Sequence, residues 1–388
     1  MKKLCFVATI PAVIQAFLKD SIRASSKRWT VNVVSNPRGA ELLLGLNAKF
    51  IPMCIERKIS PWRDLCALVQ LFGLFRRERY QLVHSIMPKT GLLTMLAARA
   101  AGIPYRLHTF TGQVWATQQG WKRQVLKLFD KIIVKLATHI LVDSPSQRDF
   151  LVAEGVLQIR QGLAIGQGSI CGVDDEVFKP DAEIRNRIRT QLDIGPTQPV
   201  ILFLGRLNRD KGMLDLAAAF VEIAKKHADA VLVLVGAEEN VPFARIQEIC
   251  GEYRRQLRRV NYTPNPEHYM AMADIFCLPS YREGFGQVII EAAAAGVPAV
   301  ATKIYGITDA VADQATGLLY PVGNINALVQ SLLKLIENPG YRSQLGRAAQ
   351  ARARSQFSSR QITDEMILLY SRILNSTEHS ESKAGKFE

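Results

Sequence analysis

Residues 275–291 read Ile275-Phe-Cys-Leu-Pro-Ser-Tyr-Arg-Glu-Gly-Phe-Gly-Gln-Val-Ile-Ile-Glu291, and this stretch carries the strongest indication of the fold. Residues 275–278 form a short apolar run typical of a buried strand, and residues 288–295 have the 3.6-residue periodicity of a helix. The two glycines between them permit a turn in which the backbone approaches a ligand closely. A strand, a glycine-containing turn and a helix in this order predict one repeat of a parallel α/β domain.

The same stretch combines a helix start with two carboxylates. The first N–H groups of a helix have no partner within it, and with the helix dipole they attract an anion such as phosphate. Glu283 lies just before the glycine turn, and Glu291 lies two turns into the predicted helix. Because carboxylates accept hydrogen bonds from vicinal hydroxyl groups, this spacing suits a ligand with hydroxyls on both sides of a diphosphate.

Short apolar runs alternate with longer helical patterns along the whole chain. The predicted strands are residues 3–8, 30–34, 82–85, 105–109, 139–143, 200–205, 230–235, 275–278, 299–301 and 317–320. The predicted helices include residues 64–77, 122–136, 214–226, 266–273, 288–295 and 327–337. This alternation predicts βαβ units with parallel sheets, and the two series of strands indicate two Rossmann-like domains.

The Pro- and Gly-containing stretch 175–198 marks the seam between the two series. We predict an N-terminal Rossmann-like domain over residues 1–178 and a C-terminal one over residues 179–358, with their parallel sheets facing across a cleft. A last helix over residues 359–374 is expected to pack back on the N-terminal domain. Residues 375–388 are polar and lack apolar periodicity, so we predict a flexible tail there.

The 388 residues carry a net charge of +14, and almost all of it lies in the first half of the chain. Residues 1–180 contain 25 basic and 12 acidic residues, whereas residues 181–388 contain 24 and 23. Such an asymmetry indicates an anionic partner of the first half: nucleic acid, a membrane surface or an anionic substrate. The basic residues lie on apolar helical stretches and not in RGG-like or helix-turn-helix contexts, which argues against nucleic acid.

Composition restricts the class of protein and the cellular compartment that we expect. Apolar residues make up 48% of the chain, enough for sizeable globular cores. The six cysteines include no CxxC pair, so we expect buried, reduced thiols in a cytoplasmic protein. No run of about 18 apolar residues exists, so no transmembrane helix is predicted.

The turn at 279–286, with its glutamates at 283 and 291, resembles the donor-site signature of glycosyltransferase family 4, a family of retaining enzymes with the GT-B fold. Residues 203–212, Phe-Leu-Gly-Arg-Leu-Asn-Arg-Asp-Lys-Gly, are similar to the opening of that family's C-terminal domain. Residues 168–180 resemble its interdomain segment. The resemblance is strong from 160 to 322 and looser in the N-terminal half. It implies an α/β GT-B fold and a hexosyltransferase.

The resemblance also implies roles for individual residues. Arg206 and Lys211 would clamp the donor diphosphate and stabilise it as it leaves, Glu283 would bind hydroxyls of the transferred sugar, and the loop at 262–266 would meet the base. The implied donor-binding set is Arg206, Lys211, Glu283, Gly284, Phe285, Gly286, Gln287 and Glu291, the last on the ribose diol. No metal cofactor is implied, because basic side chains and a helix N-terminus take its place. We expect the co-substrate to be a nucleotide sugar, with UDP as the nucleotide.

The N-terminal half offers three further candidates. His108 follows a predicted strand, and by resemblance it contacts the transferred sugar, which makes it the fourth expected catalytic residue beside Arg206, Lys211 and Glu283. His84 occupies a similar strand end, and we expect it to meet the acceptor. Lys89 could meet an acceptor phosphate.

The helical stretch 121–137 is the second informative feature. Four basic residues recur on it every four positions, so one helical stripe is cationic. These residues are Arg123, Lys127, Lys131 and Lys135. One interpretation is a surface that docks on anionic lipid, apolar side inward, with about 1 kcal/mol from each basic residue. The alternative is an ordinary core helix with a solvated face.

These observations predict a retaining glycosyltransferase that moves a hexose or N-acetylhexosamine from a nucleotide sugar to a glycan acceptor. The basic N-terminal half and the resemblance favour a polyprenyl-diphosphate-linked acceptor in capsule, O-antigen or exopolysaccharide assembly. The enzyme would be cytoplasmic and peripheral on the inner face of the membrane. Three alternatives remain: a GT-B-fold UDP-N-acetylglucosamine epimerase, an inactive binding module of the same fold, and an anionic-polymer-binding protein.

Overall fold

The computed structural model describes residues 1–56 and 60–384, with residues 376–384 as backbone alone. The chain divides into two compact α/β units. Unit 1 contains Met1–Cys171 and the chain from Ser359 onward, and unit 2 contains Gly172–Ser358. Each unit has its own parallel sheet and its own cores, as expected from alternating strands and helices.

Unit 1 is built on a seven-stranded parallel sheet. Its strands are β1 (Lys3–Val7), β2 (Thr30–Ser35), β3 (Lys49–Pro52), β4 (Leu82–Ile86), β5 (Tyr105–Phe110), β6 (His139–Val142) and β7 (Leu163–Ala164). Its helices are α1 (Pro11–Phe17), α2 (Lys19–Ser26), α3 (Pro61–Glu78), α4 (Pro88–Ala100), α5 (Gly120–Leu136) and α6 (Pro145–Ala153). The strand order is β3-β2-β1-β4-β5-β6-β7, so the winding direction reverses between β1 and β4.

Unit 2 is built on a six-stranded parallel sheet. Its helices are α7 (Ala182–Gln191), α8 (Met213–Lys226), α9 (Phe243–Cys250), α10 (Pro266–Met272), α11 (Gln287–Ala294), α12 (Ile307–Ala310), α13 (Ile325–Glu337) and α14 (Pro339–Gln356). Its strands are β8 (Val200–Leu204), β9 (Val231–Val235), β10 (Leu257–Val260), β11 (Ile275–Leu278), β12 (Ala299–Thr302) and β13 (Gly317–Tyr320). The order β10-β9-β8-β11-β12-β13 places the reversal between β8 and β11.

The predicted α/β class and parallel sheets are confirmed, but three strands were not predicted. β3 and β10 carry charged residues at or near the sheet edge, and β7 has two residues. None of these strands presents the apolar run that identifies a buried strand, because an edge strand is covered on fewer sides. Their sheet partners, not their own sequences, define them.

The chain passes between the units at two places. Unit 2 begins at Gly172. There the Val173 N–H donates to the Phe357 carbonyl at 2.7 Å, and Val173 forms a short parallel bridge with Ser358. The last helix, α15 (Ser359–Ala384), belongs to unit 1. Its backbone continues beyond residue 374 to Ala384, and the end of the predicted flexible tail, residues 385–388, lies outside the described residues.

Two cysteines differ from the prediction of buried thiols. Cys5, Cys250 and Cys277 are buried and Cys171 is partly buried, but Cys54 and Cys66 are exposed. Cys54 follows strand β3 in a surface loop, and Cys66 lies on α3, which leaves much of its circumference uncovered. On α3, helical periodicity does not identify Cys66 as exposed, because apolar side chains occur on both faces of this helix.

Candidate active site

Two loops meet at the reversal point of the unit 2 sheet, one after β8 and one after β11. Gly212, at φ 69°, immediately precedes α8, and a Cβ added there would lie 2.0 Å from the Pro279 carbonyl oxygen. Only glycine therefore allows the β8–α8 turn to approach the β11–α11 turn so closely. The carboxyl edge at such a reversal point is the usual ligand site of open parallel sheets.

The β8–α8 turn holds its two expected functional cations in a hydrogen-bonded network. Arg206 Nη1 lies 2.5 Å from Glu239 Oε1, and Asn208 Nδ2 donates to Glu239 Oε2 at 2.6 Å. Asn208 Oδ1 in turn accepts a hydrogen bond from the Lys211 backbone N–H at 2.9 Å. Asn208 is nearly fully buried and caps this turn, so it fixes the positions from which both cations project.

Lys211 connects the two turns. Its ammonium group forms an ion pair with Glu283, and Glu283 Oε1 also accepts a hydrogen bond from Ser280 Oγ at 2.8 Å. Both charged side chains are about one-fifth exposed or less, at 21% and 13%. The pair is therefore more strongly coupled than a surface salt bridge, and it brings together two residues that lie far apart in sequence.

The second turn ends in the N-terminus of α11. Gly286, at φ 79°, precedes the helix, and a Cβ at Gly306 would lie 2.4 Å from the Gly284 carbonyl oxygen. The side-chain amide of Gln287 donates to the Gly172 carbonyl at 2.6 Å. Glycines thus let the 284–286 backbone pack tightly, with the N-terminal N–H groups and dipole of α11 directed to the carboxyl edge of the sheet.

Glu291 lies further along α11 in a different environment from Glu283. Burial raises its pKa to about 7, the Gln287 side-chain hydrogen bond opposes that rise, and the charge of Glu267 adds to it. Glu267 is in the first turn of α10, next to the loop 262–266 that was predicted to meet the base. The carboxyl of Glu291 is therefore a hydrogen-bonding group whose charge changes near neutral pH.

The two histidines predicted in unit 1 lie inside the sheet and not on its surface. His84 is buried, and its ring nitrogens contact Tyr370 Oη at 2.8 Å and Thr109 Oγ1 at 2.7 Å. Burial lowers the pKa of His84 to about 3. Both ring nitrogens thus have partners within unit 1, and in this arrangement His84 connects β4 to β5 and to α15.

His108 is also buried, but its two nitrogens differ. Nδ1 lies 2.9 Å from Ser85 Oγ, whereas Nε2 has no hydrogen-bond partner within the described residues. Burial, with a smaller effect of His84, lowers the pKa of His108 to about 3. A Cβ on Gly91 would lie 2.3 Å from His108 Cε1, so glycine at the start of α4 lets that helix lie directly against the imidazole.

The remaining predicted cations of unit 1 fall into two groups. Lys89 forms a 2.5 Å ion pair with Asp64, and Arg123 and Lys127 both pair with Glu154, at 2.6 and 2.7 Å. Arg123 and Lys127 also lie over the ring of Trp115, at 5.1 and 5.6 Å from its centroid. The other two members of the predicted cationic stripe, Lys131 and Lys135, are exposed. Two residues of the stripe therefore contact other parts of unit 1, and the other two face solvent.

The sequence motifs assign no role to Glu239 or Asn208, although both residues organise the candidate site. Glu239 lies in the loop after β9, at the same carboxyl edge as Arg206. The sequence does contain one indication of Glu239, because this residue is one of two adjacent glutamates that follow a buried strand. Which of the two carboxylates faces Arg206 depends on the loop conformation, which the motif does not contain.

Two further observations bear on cofactors and membranes. Within the described residues, no three His, Cys, Asp or Glu side chains cluster in a way that could hold a metal ion. Across residues 1–56 and 60–384, no helix combines the length and apolar character that a membrane crossing requires.

Two family models match the chain, one in each unit. The model described as "Glycosyl transferases group 1" matches residues 184–352, and that described as "Glycosyl transferase 4-like domain" matches residues 23–161. Together these matches span most of the chain.

Relatives match over nearly the full length. The Staphylococcus aureus "Capsular polysaccharide biosynthesis glycosyltransferase CapM" is 29% identical, over 91% of this chain and 92% of its own. The Escherichia coli "UDP-Gal:alpha-D-GlcNAc-diphosphoundecaprenol alpha-1,3-galactosyltransferase" is 25% identical, over 87% of this chain and 88% of its own.

Among solved structures, Anabaena Alr3699/HepE in complex with UDP-glucose is similar with a TM-score of 0.80 and 19% identity, over 96% of this chain and 100% of that one. The two parallel α/β sheets and this likeness define the GT-B fold. With a glycosyltransferase model matched in each unit, the chain belongs to the group 1 glycosyltransferases, and it is an enzyme of the transferase class.

Proposed function

We propose that this enzyme transfers a hexose or N-acetylhexosamine from a UDP-linked sugar to a glycan carried on polyprenyl diphosphate, with retention at the anomeric carbon, during cell-surface polysaccharide assembly. The observation that carries this proposal is the convergence of Arg206, Lys211 and Glu283 at the reversal point of the unit 2 sheet, next to the N-terminus of α11.

The donor diphosphate binds where positive potential is concentrated. Arg206 and Lys211 provide charge, and the backbone N–H groups of Gly286 and Gln287 provide directed donors. Charge develops on the diphosphate as the glycosidic bond breaks, so preorganised cations stabilise the transition state more than the ground state. The carboxylates that hold Arg206 and Lys211 support this role, because they keep both side chains oriented before the donor binds.

The remaining donor contacts follow from the spacing of the two glutamates on either side of the turn. Glu283 receives hydroxyls of the transferred sugar, and Glu291 receives the ribose diol beside the loop 262–266. UDP as the nucleotide is supported by HepE, whose complex contains UDP-glucose, and by the E. coli relative, whose name specifies UDP-Gal.

A lipid-linked acceptor is supported by the E. coli relative, which acts on a diphosphoundecaprenol-linked sugar according to its name. The CapM relative is named for capsular polysaccharide biosynthesis. Such an acceptor lies at a membrane, and the large basic excess of the N-terminal half favours contact with anionic lipid. On α5, Lys131, Lys135 and the 72%-exposed Trp121 are among the groups available for that contact.

The proposal is tested by incubating the purified chain with UDP-, GDP- and ADP-sugars and a polyprenyl-diphosphate-linked sugar acceptor. The expected product is the acceptor extended by one sugar from a UDP donor, with the donor's anomeric configuration by NMR. Conversion of UDP-N-acetylglucosamine to its epimer without any acceptor would instead identify an epimerase.

A matched pair of variants tests the site itself. Glu283→Ala removes a carboxylate paired with Lys211, and Glu222→Ala removes one paired with Lys225 on the solvent face of α8. We expect Glu283→Ala to reduce transfer by about 100-fold or more, and Glu222→Ala to leave it unchanged. Equal activity of both variants would refute the assigned site.

A further inference from the structure

The two turns of the candidate active site are joined by more than the Lys211–Glu283 ion pair. Arg282 Nη2 lies 3.0 Å from Asp210 Oδ2, so a second ion pair crosses the same gap one residue earlier on each turn. The Tyr281 N–H also donates to the Asp210 carbonyl at 2.8 Å. Asp210 therefore accepts hydrogen bonds from the β11–α11 turn through both its side chain and its backbone.

The two ion pairs have opposite polarity. On the β8–α8 turn an acid, Asp210, precedes a base, Lys211, whereas on the β11–α11 turn a base, Arg282, precedes an acid, Glu283. Each of these four charges lies opposite a charge of the other sign. A shift of one residue between the turns would bring two acids or two bases together, so the charges favour a single register.

The Asp210–Arg282 pair is partly open to water, with 42% of the Asp210 side chain and 20% of the Arg282 side chain exposed. Such a pair adds little to the stability of the fold. The turns have other supports, because the Thr302 hydroxyl donates to the Ser280 carbonyl at 2.5 Å and Gly212 packs closely against the backbone of residue 279. We therefore expect this pair to affect the geometry of the site more than folding.

The Lys211–Glu283 pair consists of two groups that the donor itself requires. In the proposed function Lys211 binds the diphosphate and Glu283 binds the transferred sugar, so donor binding weakens their contact with each other. The donor makes no such demand on Asp210 and Arg282 in that scheme. Their pair can therefore persist in the donor complex and keep the two turns together.

We propose that Asp210 and Arg282 are positioning residues for the donor diphosphate: their ion pair keeps the β8–α8 and β11–α11 turns in register while Lys211 and Glu283 bind the donor. The inference rests on the proposed function and adds the pair that holds its charged groups in place. Because a displacement of about 1 Å at a reacting centre can cost about 100-fold in rate, a modest ion pair is sufficient for this role.

Calorimetric titration with UDP and with UMP tests the proposal without any acceptor. The two nucleotides differ by the terminal phosphate, so the native chain should prefer UDP by a factor on the order of 100. Asp210→Ala and Arg282→Ala are each expected to reduce this preference about tenfold. Partial unfolding would instead lower the number of binding sites and leave the ratio of the two affinities unchanged.

Asp210→Ala gives the sharper result, because its sign separates positioning from simple attraction. Removal of a negative charge near a diphosphate strengthens binding if only the net potential of the site matters. The positioning role predicts the reverse, a weaker binding of UDP. Tighter binding of UDP by Asp210→Ala would overturn the inference.

The double variant Asp210→Ala/Arg282→Ala shows whether the two residues act as a unit. If they act only through their pair, the double variant loses no more of the preference for UDP than either single variant. Arg282→Lys keeps a cation opposite Asp210 and should remain within about threefold of the native preference. A much larger loss in Arg282→Ala than in Asp210→Ala would identify Arg282 as a direct diphosphate ligand and overturn the pair assignment.

A matched ion pair on the following helix provides the control. Glu222 and Lys225 form a 2.6 Å pair on the solvent face of α8, and both side chains are 52% exposed. Lys225→Ala removes a cation of unit 2, as Arg282→Ala does, and is expected to leave both nucleotide affinities unchanged. An equal loss of preference in Lys225→Ala would attribute the effect to net charge and refute the positioning role.

Failure of this inference and failure of the proposed function give different results. If the native chain transfers sugar and the single variants keep the native preference for UDP, the positioning assignment fails and the proposed function stands. If the variants lose the preference but the native chain transfers no sugar from any donor, the proposed function fails and the positioning assignment stands. A native chain with no preference for UDP over UMP would refute the diphosphate site and the pair with it.

Discussion

The two sheets reverse direction at equivalent places but present different chemistry there. In unit 2 the gap between β8 and β11 carries Lys211 paired with Glu283, both partly exposed. In unit 1 the gap between β1 and β4 is closed by a 2.5 Å hydrogen bond between Thr9 and Thr90, and its nearby histidines are buried. Equivalent topology therefore offers a ligand edge in both units, but only local side chains determine which edge is charged.

The largest expected contrast is between two lysines that each pair with a carboxylate at one of these edges. Lys211→Ala should lower kcat/KM by about 100- to 1,000-fold, because a group that stabilises the leaving diphosphate is removed. Lys89→Ala, which breaks the pair with Asp64 in unit 1, should lower it less than about tenfold. Steady-state kinetics with both substrates varied measures the difference, and similar losses would remove the contrast.

For the stability of the fold, the larger effect is expected in the buried part of unit 1. Tyr370→Phe removes the hydroxyl that contacts His84 Nδ1 inside unit 1, and it should cost about 1–3 kcal/mol of unfolding free energy without a comparable loss of activity. Leu368→Ala changes a 53%-exposed residue of the same helix and should cost about 0.5 kcal/mol or less. Urea denaturation measures both, and a Tyr370→Phe variant with native stability would show that the buried histidine does not need this partner.

The pH dependence of donor binding should come from unit 2. Glu291, with its pKa raised to about 7, loses its charge as the pH falls, so donor affinity should drop about tenfold between pH 8 and pH 6. His84 and His108, with pKa values lowered to about 3, stay neutral over that range and contribute no titration. Calorimetric titration with the UDP-sugar measures the donor affinity at each pH.

The matched variant for that experiment is Glu291→Gln, which cannot ionise. Its donor affinity should be weak and independent of pH from 6 to 8. A native pH dependence that persists in Glu291→Gln would assign the titration to another group.

The smallest expected effect concerns Glu239. Glu239→Gln weakens the hold on Arg206, whose side chain is 44% exposed, so the loss should be about two- to fivefold in kcat/KM. Parallel kinetics on Glu238→Gln, one residue earlier, provide the control. Equal effects of the two variants would show that Glu239 does not position Arg206.

More of unit 2 than of unit 1 can be predicted from the sequence, because the patterns that define unit 2 lie within short stretches of the chain. The runs 275–278 and 317–320 coincide with the observed strands β11 and β13, and the turn glycines at 212 and 286 adopt the left-handed conformation that only glycine takes easily. In unit 1 a strand-end histidine could be a core residue or a ligand group, and periodicity treats both alike. The placement of His84 became clear only through Tyr370, which is distant in sequence.

The cationic stripe of α5 illustrates the same limit. Its four-residue spacing correctly predicts one helical face, yet Arg123 and Lys127 contact Glu154 and Trp115 while Lys131 and Lys135 face solvent. A neighbouring element, α6 with the residues that follow it, supplies Glu154. The spacing of residues along a helix does not show which element packs against each of its turns.

The sequence by itself determined the alternation of strands and helices, the two parallel sheets, and the glycine turns that bring a strand end and a helix start together. These follow from short-range patterns of apolar residues and from the conformational freedom of glycine. Only the tertiary structure decided which carboxylate holds which cation and which histidines are buried. Those properties depend on contacts between residues far apart in the chain, because burial and electrostatics are set by what lies nearby in space.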